Sequence, residues 1–270
     1  MVRISWSAGH GFNTPGKRTP DGMREWEFNS AVVVEAIKLL DQYQDVLQLR
    51  LDDPTGQRDV PLQERSNRSN SWDADVHIDV HANAFGNGGW NKVQGIETFV
   101  YTTRPPMDVT LATNVQNRLI ANTKRPDRGV KAENFHMLRE TTAVSILIEC
   151  GFMTNKEEAA LLKSAAYRKL CAQSIIEGLV ETYNLKLKEE DFVLERAIVI
   201  NSFADFPVTE LLANYVKAPI YTRRVAENVK LAKELLVVGG NTDGLQADRI
   251  ILLAGRDRFE TAAKVKEYIG

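Results

Sequence analysis

Cysteine is scarce. The 270 residues carry two, Cys150 and Cys171. That excludes a disulfide framework, and both are read as reduced thiols. Excess charge is missing as well. A net charge of -2 gives no electrostatic grip on nucleic acid or on an anionic membrane. No run approaches the ~20 apolar residues that cross a bilayer. The opening "MVRISWSAGHGFN" has no basic head leading into an apolar stretch, so no secretory signal is expected and synthesis in the cytoplasm follows. Internal repeats and low-complexity tracts are absent from the sequence too. What is present is a 43% hydrophobic chain, enough for one large domain or two smaller ones.

Up to about Leu185, short apolar runs alternate with longer helical patterns. "VRISW", "VLQLRL", "VHIDVHAN", "GIETFVY" and "VSILIECGF" read as strands. "EWEFNSAVVVEAIKLLDQY" places Phe28, Val32, Ala36, Leu39 and Leu40 at helical spacing. "PLQERSNRSNSW", "LATNVQNRLIANTK" and "EEAALLKSAAYRKLCAQSIIEGLVETYNL" read as further helices. Strands alternating with helices predict a three-layer αβα domain around a mostly parallel sheet. The polar segment 186–192, "KLKEEDF", reads as a linker. A smaller α/β unit is expected over 193–270: strands "RAIVIN", "APIYT", "LVVGG" and "RIILLAG", with helices "VTELLANYV", "VAENVKLAKEL" and "FETAAKVKEYI".

Four polar groups stand at the ends of such elements: His10 in "AGHG", Glu25 or Glu27 in "REWEFN", His81 in "VHANA" and Glu149 in "LIECGF". Sites in parallel α/β sheets form at the carboxyl ends of strands. Two imidazoles and a carboxylate make a catalytic zinc set, and a further carboxylate can then act as general base. Each residue also has a plainer reading: a loop histidine, a core histidine, or a Glu149 paired with Arg139. Their joint occurrence favours a site. His77, Asp79 and His81 share one strand face. Four strand residues span roughly 13 Å, so His77 and His81 cannot hold one ion. His81 is nearer the carboxyl end and is preferred. His136 flanks the cleft at most. Helix phase puts Glu25 on the Phe28 side and Glu27 about 100° away, which favours Glu25. Cys150 follows Glu149 on the strand and points to the other face, so it is not expected to be a nucleophile.

The motifs "SAGHG", "DGMREWEFN", "LQERSNRSN", "ADVHIDVHANA", "GIETFVY", "RGVK", "FHMLRET" and "ILIECGFMTN" occur in the order seen in the zinc-dependent N-acetylmuramoyl-L-alanine amidases, which residues 1–183 resemble. The resemblance implies a six-stranded parallel or mixed sheet and one zinc ion held by His10, Glu25 and His81, with Glu149 as catalytic glutamate. Ser7 stands where the family more often has an aspartate. Residues 193–270 resemble one copy of the type-2 cell-wall-binding repeat, which usually occurs in threes. Together these imply a zinc amidase domain over 1–185, a linker over 186–192 and a wall-binding domain over 193–270. The implied partners are peptidoglycan, a cell-wall polymer and a second copy of the tail. Asn83 and Arg139 are further candidates for substrate contact. A phage endolysin that waits in the host cytoplasm until lysis and then attacks the wall is the expected role. Alternatives are a host lysis or sporulation amidase, a zinc carboxypeptidase on wall peptides, or a wall binder without catalysis.

Overall fold

A computed structural model describes residues 1–188 and 193–270. The first of two compact units spans Met1–Lys188. Its elements are β1 (Val2–Ala8), α1 (Glu25–Leu40), β2 (Val46–Arg50), α2 (Leu62–Ser71), β3 (Val76–Asn83), β4 (Ile96–Val100), α3 (Pro106–Thr123), β5 (Asp127–Ala132), α4 (His136–Glu140), β6 (Val144–Phe152), α5 (Lys156–Lys163) and α6 (Ala165–Tyr183). The six strands form one sheet in the order β2-β1-β3-β6-β4-β5. β2, β1, β3 and β6 run parallel, while β4 is antiparallel to β6 and carries the parallel β5 with it. The sheet is therefore mixed and mostly parallel.

Strand alternation explains the layers. Ile4, Trp6 and Ala8 of β1 and Ile78 and Val80 of β3 are buried with Phe28, Val32 and Ala36 of α1, Leu111 and Val115 of α3, and Ile175 and Leu179 of α6. The intervening residues Ser5 and Ser7 face α2, where Ser69 and Arg65 meet them. One face is thus an apolar core and the other a buried polar seam. β3 is buried on both faces, which is why it reads as an almost unbroken run. Because β4 is antiparallel, the connection of residues 84–95 leaves and rejoins the sheet at the carboxyl-terminal edge of β3. It exposes Phe85 and Trp90.

Several boundaries differ from the sequence reading. The long helix expected after Asn155 is two helices, because Ser164 is extended between them. β5 and α4 arise from segments without a strong apolar period. Residues 186–188 belong to the first unit rather than to a linker. Their backbone pairs with the turn after α1, through Gln44 N to Lys186 O at 2.8 Å and Lys188 N to Gln42 O at 2.7 Å. The remainder of the expected linker, residues 189–192, lies outside the described residues.

The second unit contains β7 (Leu194–Ile200), a 3-10 turn (Phe203–Asp205), α7 (Phe206–Val216), β8 (Ile220–Thr222), α8 (Arg223–Ala226), β9 (Ala232–Val238), β10 (Arg249–Leu253) and α9 (Arg258–Ile269). Its sheet is all parallel, in the order β10-β9-β7-β8. The helix expected over "VAENVKLAKEL" stops at Ala226, and Ala232–Leu235 begin β9. Asn228 has φ +61°, which breaks the helix, and β-pairing with β7 then takes Ala232 into the core. Among the described residues no helix is long and apolar enough to cross a membrane.

The α3–α6 contact depends on Gly178. A Cβ there would lie 2.6 Å from Val115 Cγ2 and 2.7 Å from its Cα. Alanine in a helix interior ordinarily gains about 0.5–1 kcal/mol over glycine. Here Gly178→Ala is expected to destabilise by about 1–3 kcal/mol through overpacking. Denaturant melts of the two proteins check the sign.

Candidate metal centre

The loop after β1 is held in an uncommon shape. His10 has φ +66°, in the left-handed region that costs a non-glycine residue energy. The buried Arg65 of α2 holds this loop. It donates to Ser7 Oγ and Ala8 O, each at 2.7 Å, to Val60 O at 3.0 Å and to His10 O at 3.1 Å. Gly9 leaves room for a neighbour: a Cβ there would fall 2.1 Å from Cε1 of His81. The strand register also sets Ser7 beside Asp79.

Glu25 opens α1 and is 2% exposed. Its Oε1 lies 2.9 Å from His81 Nδ1 and its Oε2 lies 3.4 Å from His10 Nε2. Asn29, one turn along α1, donates from Nδ2 to Glu25 Oε1 at 3.3 Å and to Gly9 O at 3.1 Å, so it ties the helix to the loop. The backbone N–H of Ala82 donates to the same Oε1 at 3.3 Å. His10, Glu25 and His81 thus bring one donor atom each to within 4.8 Å of one another, a group able to hold a metal ion. The two imidazoles stand edge to face, with centroids 5.0 Å apart.

Glu149 ends the apolar part of β6 directly beside His81 in the strand register. Glu25, His81, Asn83 and Glu149 line one small cleft with Lys17 and Met153. Buried Oε2 of Glu149 has no hydrogen-bond partner, and the same holds for His10 Nε2 and Asp79 Oδ1. Burial pushes the Glu149 carboxyl up to about 8. Burial acts the same way on Glu25, but the hydrogen bond from His81 and its charge outweigh it and hold Glu25 at about 2. Desolvation lowers His10 to about 4. Burial opposes a charge on His81 as well, yet the Asp79 and Glu25 carboxylates raise it well above the usual imidazole value. The site therefore holds one carboxylate kept ionised beside one of raised proton affinity, and a base that titrates near neutral pH is suited to proton transfer.

Asn83 is in this cleft, and the other candidates lie elsewhere. His77 is fully buried and shares a hydrogen bond with Ser5 Oγ at 3.0 Å, in the polar seam. His136 meets Ser66 Oγ at 3.1 Å. Glu27 accepts from Arg24 N at 2.7 Å and caps α1. Arg139 pairs with Glu140 at 2.7 Å and Asn134 at 2.7 Å, not with Glu149. Asn83 donates to the buried Glu97, which Arg128 and Lys131 also hold. Cys150 and Cys171 are buried on the apolar face. Arg65, Asn29 and Glu97 were not singled out by sequence. Their signal was a polar residue at a position whose neighbours predict burial, as in "QERSN" and "GIETFV".

Residues 4–181 match the sequence profile of a family described as N-acetylmuramoyl-L-alanine amidase. The sporulation-specific N-acetylmuramoyl-L-alanine amidase of Bacillus subtilis is 29% identical over 186 residues, covering 69% of this chain and 70% of that protein. The endolysin of Bacillus phage SPP1 is 30% identical over 198 residues, covering 70% and 69%. A crystal structure of an N-acetylmuramoyl-L-alanine amidase from Clostridium difficile 630 superposes with a TM-score of 0.64 and 28% identity, covering 68% of this chain and 97% of that one. The family match ends before the second unit begins.

The high Glu149 value sets a pH test. Between the usual glutamate value and about 8, the metal-free native state keeps a proton that the unfolded chain has lost. Its stability therefore falls as pH rises through that window. In excess chelator, Glu149→Gln is expected to melt higher than the parent at pH 8 and at the same temperature at pH 4. Thermal melts at both pH values check this.

Proposed function

We propose, from the premise that this chain belongs to the N-acetylmuramoyl-L-alanine amidase family, that its first unit hydrolyses the amide between the lactyl group of N-acetylmuramic acid and L-alanine in peptidoglycan. The carrying observation is the convergence of His10, Glu25 and His81 beside Glu149. In this reading His10, Glu25 and His81 hold one zinc ion and Glu149 is the general base.

The donor set fits zinc. Ligands about 2.0–2.1 Å from a tetrahedral ion lie roughly 3.3 Å from one another. Glu25 turns one oxygen to each imidazole, Oε2 at 3.4 Å from His10 Nε2 and Oε1 at 2.9 Å from His81 Nδ1. His10 Nε2 is buried with no protein partner, as a ligand atom would be. Two nitrogens and one carboxylate leave room for water or substrate, the pattern of catalytic rather than structural zinc.

When bound, zinc supplies Lewis acidity that polarises an amide carbonyl and makes water more acidic. The remaining steps belong to the chain. Glu149, turned into the cleft with Oε2 unpartnered, accepts a proton from the attacking water. The water oxygen adds to the lactyl carbonyl carbon, the C–N bond breaks, and Glu149 returns a proton to the L-alanine nitrogen. Glu25, held ionised at about 2, stays a charged ligand throughout. Asn29 and Arg65 keep Glu25 and the His10 loop in place, so the ligands do not have to be gathered for each turnover.

The second unit, 193–270, is the proposed wall-binding part and recognises a cell-wall polymer. It exposes Phe203, Leu211, Tyr215 and Phe259, surface that a wall polymer or a second copy of the unit would cover. The similarity to a phage endolysin supports a lysin made in the host cytoplasm that reaches the wall at lysis. The similarity to a sporulation amidase supports the alternative of a host enzyme.

End-group analysis of digested peptidoglycan tests the reaction. New L-alanine amino termini without new reducing sugar ends are expected, abolished by chelator and restored by zinc. Reducing ends, or free terminal amino acids, would assign a different bond. Glu149→Ala is expected to lower kcat by about 10²–10⁴-fold, the usual contribution of a general base. A chain ending at Lys188 is expected to keep the amidase reaction but to sediment poorly with intact walls. Sedimentation equilibrium of the full chain reads association directly, and monomer alone at micromolar concentration would leave the wall polymer as the sole partner of the second unit.

A further inference from the structure

We propose that Asp79 is a positioning residue for His81, accepting a hydrogen bond from Nε2–H so that Nδ1 is the nitrogen presented to the metal. The inference rests on the metal reading above and extends it to a residue outside the ligand set. His81 uses its two ring nitrogens in opposite directions. Nδ1 faces Glu25 Oε1 at 2.9 Å, and Nε2 faces Asp79 Oδ1 at 3.3 Å. A neutral imidazole that ligates through one nitrogen carries its proton on the other, and a carboxylate at that second nitrogen fixes which is which.

Three further observations place Asp79 in that role. It lies two residues before His81 on β3, so both side chains leave the same face of the strand. It is 3% exposed, and its Oδ1 has no other partner. A buried carboxylate oxygen without a donor is costly, and the Nε2 proton is the donor within reach. The ring is also confined on its remaining edge, since Gly9 packs where any side chain would strike Cε1. Glu25 in front, Asp79 behind and Gly9 at the edge leave His81 a single orientation.

A plainer role for Asp79 is to balance the buried guanidinium of Arg65, which would affect folding and not the metal. The test separates the two. Zinc affinity of the full chain is measured by competition with a chromophoric chelator for the parent, Asp79→Ala and Asp79→Asn, beside the melting temperature of each metal-free protein. Long-range ¹H–¹⁵N spectra of the zinc-loaded parent assign the His81 nitrogens. The expected result is Nε2 protonated and Nδ1 coordinated in the parent, and zinc bound about 10–100-fold more weakly by Asp79→Ala. Asp79→Asn, which keeps an acceptor of the same size, recovers part of that loss and serves in place of the alanine variant if that one does not fold. Zinc affinity within about threefold of the parent in the variants, or a parent spectrum with Nε2 coordinated, would overturn the inference alone. A parent that binds no zinc would overturn the metal reading and this inference with it.

Discussion

The Glu25 carboxylate is the constraint around which the site is built. It is 2% exposed at the first turn of α1, where it has left water almost completely. A charge so buried persists only with donors and opposite charge around it. Asn29, the Ala82 N–H and His81 meet that demand from two elements, and His10 approaches from the loop after β1. Satisfying one carboxylate therefore locks α1, the β1 loop and the end of β3 together. The same set of contacts that stabilises the charge produces the donor cluster. Structure and site are here one arrangement.

Much of this was readable from residues, and what was not had physical reasons. The period of 3.6 located α1 by its one dominant buried face, and short β-branched apolar runs located β1, β3 and β6, which are buried on both faces. Strand geometry separated His77 from His81, and the structure places His77 in the polar seam with Ser5. The phase of α1 put Glu25 inward and left Glu27 for the helix cap. By contrast, the left-handed backbone at His10 is set by long-range bonds from Arg65, and no local pattern encodes a bond across 55 positions. The start of β9, Ala232–Leu235, reads as helix because "VKLAKEL" has good helix formers, while "LVVGG" reads as strand; tertiary pairing with β7 outweighs the helix propensity.

The two faces of the sheet do different work. The face against α1, α3 and α6 is apolar and supplies the burial that folding needs. The other carries Ser5, Ser7, His77 and Asp79 against α2, where each polar group must find a partner. Small hydroxyls and one extended arginine meet this requirement for Ser5, Ser7 and the Nδ1 of His77. A polar layer directly behind His10 and His81 costs desolvation but fixes direction, which an apolar layer cannot do.

The antiparallel β4 has a consequence for how such an enzyme can change over generations. Residues 84–95 start and finish at the same rim and pass only over the end of β6, so they need not run the length of the sheet as a parallel crossover must. Insertions there lengthen a hanging loop at little entropic cost, since each doubling of length adds only about 0.6 kcal/mol. The strands that carry His81, Glu97 and Glu149 keep their register whatever the loop does. The loop at this rim can thus change in length while the residues of the cleft beneath it keep their places.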